Sequence, residues 1–112
     1  MQMIEAIFKP QKLDDVKAAL AGIGILGATA SEVKGYGKQG GHTERYRGSK
    51  MEVGFVPKIR LCVCVKDAEL KLAVDTIVST ARTGTVGDGK IFITPVTHVI
   101  RIRTGEVDDA AL

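Results

Sequence analysis

Phe55-Val-Pro-Lys-Ile-Arg-Leu-Cys-Val-Cys-Val65 is the stretch on which the fold turns. Side chains two apart on a strand share a face. Leu61, Val63 and Val65 therefore mark one face, and Cys62 and Cys64 mark the other. Pro57 limits the start of the strand. A strand that is apolar on both faces is a central one, with neighbours on either side.

Those neighbours can be read outward from it. Met1 to Phe8 has strand content and ends at Lys9-Pro10, because the residue before a proline is pushed out of the helical region. From Lys12 to Ile23, apolar residues fall at Leu13, Val16, Leu20 and Ile23, the spacing of a helix with one buried stripe. Asp14 and Asp15 occupy its first turn, where the helix dipole favours acids, and Gly24 stops it. Gly27 to Lys34 reads as a second strand of mixed polarity. Beyond Val65, Asp67 is placed to cap a second helix with the stripe Leu70, Ala73, Val74, Ile77, Val78 and Ala81. A glycine-punctuated turn, Gly84 to Gly89, leads into Ile91 to Val96. A short strand, Val99 to Arg103, and an acidic tail follow.

The order strand, helix, strand, strand, helix, strand predicts an α+β, ferredoxin-like βαββαβ sandwich, an antiparallel sheet with both helices on one face. The opposite face is left uncovered although the third strand is apolar on both sides. Self-association is expected to cover it.

Gly35-Tyr-Gly-Lys-Gln-Gly-Gly-His-Thr-Glu-Arg-Tyr-Arg-Gly48 interrupts this alternation between the two middle strands. It has almost nothing to bury, and glycine loses the most entropy on ordering. So long a connection in a compact domain is usually functional or disordered. It reads either as a hairpin tip or as a loop that orders on a ligand or partner.

The 112 residues fit one domain, 1–112, with a core of Ile, Val, Leu and Ala, since tryptophan is absent. Sixteen basic residues against thirteen acidic ones, without a clustered basic face, argue against a nucleic-acid partner. Nothing at the N-terminus reads as a signal peptide and no apolar run would span a bilayer, so a cytoplasmic, non-membrane protein is expected. Cys62 and Cys64 are too poorly disposed for a disulfide and are expected to be buried free thiols. A two-thiol metal site is set aside because no further Cys or nearby His joins them in sequence.

Gly84-Thr-Val-Gly-Asp-Gly-Lys90 formally matches G-x-x-x-x-G-K. Ile91 stands where a magnesium-holding hydroxyl would be needed, and the turn follows a helix rather than preceding one. What survives is either a set of converging backbone N–H groups with Lys90 as a point charge, or a plain turn with a solvent lysine. Arg101 and Arg103, two apart, read as a solvated basic edge or as paired forks for phosphate oxygens. Lys9 and Lys58 flank prolines at strand ends and point either at a site or at solvent. His42 and His98 have nothing at ligand spacing, and Ser49 and Ser79 lack the surroundings of a nucleophile elbow. With no catalytic constellation, the residues describe a small oligomeric domain that binds a phosphorylated ligand, a sensor more than an enzyme.

The chain resembles the nitrogen-regulatory PII signal-transduction proteins along its whole length. The resemblance is carried by Lys9-Pro10 with Lys12-Leu-Asp-Asp-Val16, Glu32-Val-Lys-Gly35, Gly41-His-Thr-Glu44 and Tyr46-Arg-Gly48. Gly84 through Gly-Asp-Gly-Lys90-Ile-Phe92 and Val99-Ile-Arg-Ile-Arg-Thr-Gly-Glu106 complete it. It implies a homotrimer binding ATP or ADP in clefts between subunits, and 2-oxoglutarate once Mg²⁺-ATP is present. It implies docking on an ammonium transporter, which would recruit the protein to the membrane, or on a nitrogen-metabolism enzyme or kinase. The docking element would be a T-loop at about residues 37–55, with Arg47 at its tip. By the same resemblance Gly87, Asp88, Gly89 and Lys90 lie near the phosphates, and Arg101 and Arg103 approach them. Gly35, Gly37 and Gln39 form the loop base, with Gln39 helping to hold magnesium. Lys58 meets a 2-oxoglutarate carboxylate, and Gly27, Ala28 and Thr29 lie beside the base and ribose.

Two positions depart from the family pattern. Met51 stands where many relatives carry the tyrosine that is uridylylated, and a thioether has no hydroxyl to modify. Ser49 resembles a serine phosphorylated in some relatives, or is an ordinary loop hydroxyl. Cys62 stands where a glutamate near Lys90 is common, which bears on nucleotide preference and on the runner-up reading, a slow nucleotide hydrolase.

Overall fold

A computed structural model describes residues 1–37 and 54–112. The elements are β1 (Gln2–Phe8), α1 (Leu13–Gly22), β2 (Thr29–Gly35), β3 (Val56–Val65), α2 (Leu70–Ala81) and β4 (Lys90–Pro95), with one-turn 3-10 helices at Pro10–Lys12, Asp67–Glu69 and Asp108–Ala111. The strands form one sheet in the order β2-β3-β1-β4, each pair antiparallel. This is the expected βαββαβ plan, with β3 inside the sheet.

Register separates the two faces. Ile4 opposes Val63, Ala6 opposes Leu61 and Phe8 opposes Ile59, and all six belong to one buried cluster. The helices complete that cluster: α1 contributes Val16 and Leu20, α2 contributes Ala73, Ile77 and Ala81. The stripe is what makes these segments helical in context, because short isolated helices are marginal without a packed face. Gly24, at φ +89°, takes the left-handed conformation that ends α1. Truncating Phe8, 1% exposed, would remove about 3–5 kcal/mol from this core.

The second face carries Met3, Glu5 and Ile7 of β1, Arg60, Cys62 and Cys64 of β3, and Phe92 of β4. No helix covers it among the described residues. Its centre is an ion pair, Arg60 Nε to Glu5 at 2.5 Å. The thiols are half-buried rather than buried as expected, because they face the side of the sheet that no helix covers among the described residues.

Three expectations need correction. Asp67 does not cap α2, whose regular turns begin at Leu70. Its carboxylate instead accepts from the Met1 amino group at 3.0 Å, while Glu69 accepts from the Lys66 N–H. Residues Val99 to Arg103 are not a strand. Ile100 makes a single bridge to Val107, and the chain reverses through a turn in which Gly105 N–H donates to Arg101 O at 2.7 Å. Arg101 and Arg103 are thus turn residues, not a strand face. The second strand begins at Thr29, so Gly27 and Ala28 are its lead-in.

Gln39, His42, Tyr46, Arg47, Ser49 and Met51 lie outside the described residues, and with them most of the expected T-loop. Among the described residues no helix is long and apolar enough to cross a membrane.

Candidate functional site

Two cavities on the sheet collect most of the residues singled out from the sequence. The first, about 640 Å³, opens between the end of β2 and the start of β4 and is lined by Gly35, Gly37, Lys58, Gly87, Gly89 and Lys90, with Tyr36 and Phe92. Lys58 reaches it from β3 and is only 7% exposed, the one buried charged residue among those described. Its Nζ donates to the carbonyl of Gly87, and it has no carboxylate within ion-pair distance among the described residues. Burial, followed by the nearby charge of Lys9, pushes its pKa below the ordinary lysine value; Asp88 pulls the other way. A buried cation held by a neutral carbonyl is able to accept an anion.

The loop around it is built by its neighbours. Asp88 accepts from the N–H groups of Thr83 and Gly84, at 2.8 and 2.7 Å, and from the Thr83 hydroxyl. Lys9 adds an ion pair at 3.3 Å and bonds to the hydroxyls of Thr83 and Thr85. The Thr83 hydroxyl and these other donors hold the Asp88 carboxyl far below the usual range. Asp88 and Lys9 are therefore struts of the loop, and Lys9 is neither a surface lysine nor a free cation. Gly89 has φ +103°, and a Cβ there would stand 1.7 Å from the carbonyl oxygen of Ile7. Only glycine fits, and its neighbour Lys90 is thereby delivered to the cavity as the first residue of β4.

The second cavity, about 720 Å³, is lined by Gly27, Ala28, Thr29, Cys62, Cys64 and Arg101. Arg101 is half-buried and already engaged. It donates to Glu106 at 2.8 Å and more weakly to the carbonyls of Ala111 and Leu112. Arg103 stands exposed in the turn.

Two cavities, one lined by glycine backbone and the other beside a guanidinium, lie on one small antiparallel sheet. Residues 1–106 match the model of the family described as nitrogen regulatory protein P-II. The chain belongs to that family. It is 57% identical over 112 residues, the whole of both chains, to "Nitrogen regulatory protein P-II 1" of Escherichia coli K12. The same identity and coverage hold for "Nitrogen regulatory protein P-II" of Klebsiella oxytoca, and identity is 54%, again over both whole chains, for that of Synechocystis sp.. As a P-II protein it is a regulator of nitrogen metabolism rather than an enzyme.

Within this P-II chain the sequence-derived residues divide rather than converge. Gly35, Gly37, Lys58, Gly87, Gly89 and Lys90 share the first cavity, and Gly27, Ala28, Thr29 and Arg101 share the second. The residue reading missed two features. Tyr36 and Phe55, on the two chain segments that flank residues 38–53, meet edge to face with centroids 5.0 Å apart and planes at 88°. Such a pair contributes about 0.5–1.5 kcal/mol. The sequence signal was an aromatic at each end of a glycine-rich connection. Glu106, the partner of Arg101, was missed as well, because only the turn brings them together.

Proposed function

We propose that the whole chain, 1–112, acts as a single sensor domain that binds ATP or ADP with Mg²⁺, and 2-oxoglutarate, in clefts between the subunits of a homotrimer. The observation that carries this reading is Lys58, a buried cation without a carboxylate among the described residues, facing a cavity lined by glycine backbone. Phosphate oxygens would be received at Gly87, Gly89 and Lys90, and base and ribose at Gly27, Ala28 and Thr29. Because these groups occupy two separate cavities of one chain, a head-to-tail ring would bring the first cavity of one subunit against the second of the next. Arg101 and Arg103 would then approach the phosphates from the neighbour. Asp88 serves the phosphates indirectly, by shaping the loop. Gln39 would hold Mg²⁺, and Lys58 a 2-oxoglutarate carboxylate. The segment 37–55, with Arg47, would dock on an ammonium transporter, a nitrogen-metabolism enzyme or a kinase, and so report ligand state to its partner.

A dicarboxylate placed beside three phosphates is repelled unless a cation lies between them. Titration calorimetry is therefore expected to show 2-oxoglutarate binding only after Mg²⁺ and ATP, and by linkage 2-oxoglutarate should tighten ATP by the same factor. Equal 2-oxoglutarate affinity in metal-free, nucleotide-free protein overturns the assignment. Sedimentation should give a trimer, and a monomer with full nucleotide affinity would exclude the shared clefts.

A further inference from the structure

Arg101 is carried on a short reversal of the chain, residues 99–108, that belongs to neither the sheet nor the helices. Its arms are tied by Arg101 N–H donating to Glu106 O at 2.9 Å, by the Ile100–Val107 bridge, and by Asp108 N–H donating to Val99 O at 2.7 Å. A further tie closes the base, where the Asp108 carboxylate accepts from Val99 N–H at 3.1 Å. Asp108 therefore grips Val99 through both its backbone and its side chain. It sits at φ +55°, the one non-glycine residue at positive φ among those described. L side chains avoid that region, and aspartate or asparagine enters it where the side chain can bond to nearby backbone. The change of direction there starts the 3-10 turn Asp108–Ala111. That turn brings the carbonyls of Ala111 and Leu112 to the Arg101 guanidinium, at 3.3 and 3.4 Å.

We propose that Asp108 is the positioning residue for Arg101. It locks the base of the reversal that presents the guanidinium to the second cavity, and it aims the carbonyls that steady it. The consequence for ligand affinity rests on the reading above, in which Arg101 meets a nucleotide. The ion-pair partner of Arg101 is Glu106, so Asp108 acts through the backbone. The His98 ring lies 3.4 Å from the same Asp108 oxygen, but it is exposed, and exposed pairs contribute little. The lock needs an acceptor oxygen and tolerance of positive φ, not a charge. Asparagine keeps both, glycine keeps only the φ, and alanine keeps neither.

The test compares Asp108→Asn, Asp108→Gly, Asp108→Ala and Arg101→Gln in the full chain, by ATP calorimetry, amide hydrogen exchange and thermal unfolding. In Asp108→Ala the amides of Val99 and Arg101 should exchange about tenfold faster than in the parent, with Asp108→Gly intermediate and Asp108→Asn within about threefold. ATP should bind Asp108→Ala more weakly, approaching the roughly tenfold loss of Arg101→Gln, and Asp108→Asn should restore it. Added to Arg101→Gln, Asp108→Ala should cost much less than it does in the parent, because part of its effect passes through Arg101. Unchanged exchange at the Arg101 amide in Asp108→Ala overturns the proposal. So does an ATP loss as large in Asp108→Asn as in Asp108→Ala, or full additivity with Arg101→Gln. Parental ATP affinity in Arg101→Gln would instead remove Arg101 from the nucleotide site, and exchange at its amide would still decide whether Asp108 holds it.

Discussion

Lys58 and Arg101 are both cations set into cavity walls, but their surroundings leave them in different states. Lys58 is almost fully buried and is held by one carbonyl, that of Gly87. Arg101 is half-buried and donates one nitrogen to Glu106, while its other nitrogen faces the carbonyls of Ala111 and Leu112. The first has been taken from water with no carboxylate at ion-pair distance among the described residues, so an incoming anion would offset the cost of its burial. The second must exchange one partner for another. Two residues that look alike in a charge count therefore have unequal value to an anionic ligand. One glycine in each cavity is unequal in the same direction: Gly89 in the Lys58 cavity has no room for a Cβ, and Gly27 in the Arg101 cavity stands in open space.

The largest expected contrast is in those glycines. Gly89→Ala would drive a Cβ into the Ile7 carbonyl at a positive φ, and should destabilise the protein by more than about 4 kcal/mol or abolish folding. Gly27→Ala meets nothing within 4 Å and should stay within about 0.5 kcal/mol of the parent. Denaturant unfolding of the pair checks this; similar losses in both would show that the two cradles are equally constrained.

Next comes Lys58→Met. Removing the charge should weaken 2-oxoglutarate binding by about 1.5–3 kcal/mol, roughly ten- to a hundredfold, while removing the desolvated ammonium should leave stability equal or raised. Calorimetry and thermal unfolding read the two effects separately. A destabilised Lys58→Met with unchanged affinity would make Lys58 a strut like Lys9. Arg101→Gln should lose less, about tenfold in nucleotide affinity. Its largely exposed ion pair with Glu106 should contribute no more than about 1 kcal/mol to folding. A loss larger than that of Lys58→Met would reverse the ranking of the two cations.

The smallest effect is a pH dependence. The folded pKa of Lys58 lies below its ordinary value of 10.5, so near that value the unfolded chain binds more protons than the native one. The penalty of burying the charged lysine is fully present below the folded pKa and is relieved as pH rises toward 10.5. The stability of the parent relative to Lys58→Met should therefore increase with pH in the alkaline range. A flat difference would mean that Lys58 is not desolvated in solution.

The strands and helices were legible because their apolar periods of two and 3.6 are written directly in residues such as Leu61, Val63 and Val65, or Ala73, Ile77 and Ala81. The segment Val99 to Arg103 alternates just as well, yet among the described residues it has no strand partner beyond the Ile100–Val107 bridge. Gly105, at φ +76°, turns the chain before a strand can extend. Alternation says which faces a strand would have, not whether another strand will lie beside it. Asp67 was misread for a related reason, since a capping residue also accepts from any nearby donor and the Met1 amino group is brought to it by the sheet.

At the site, the glycine cradle was legible because backbone freedom is a property of residue type. The lack of a carboxylate beside Lys58 among the described residues was not, since it depends on how distant segments come together. Gln39 and Arg47 rest on the resemblance and lie outside the described residues.

The edge-to-face pair of Tyr36 and Phe55 has an optical consequence. The chain contains two tyrosines and no tryptophan, so its near-ultraviolet emission comes from Tyr36 and Tyr46 alone. In a Tyr46→Phe chain the single remaining fluorophore would sit on the wall of the Lys58 cavity, pressed against the other end of the connection that leads to residues 38–53. Its intensity and anisotropy would then report, without any attached dye, whether filling that cavity parts the two rings or locks them together.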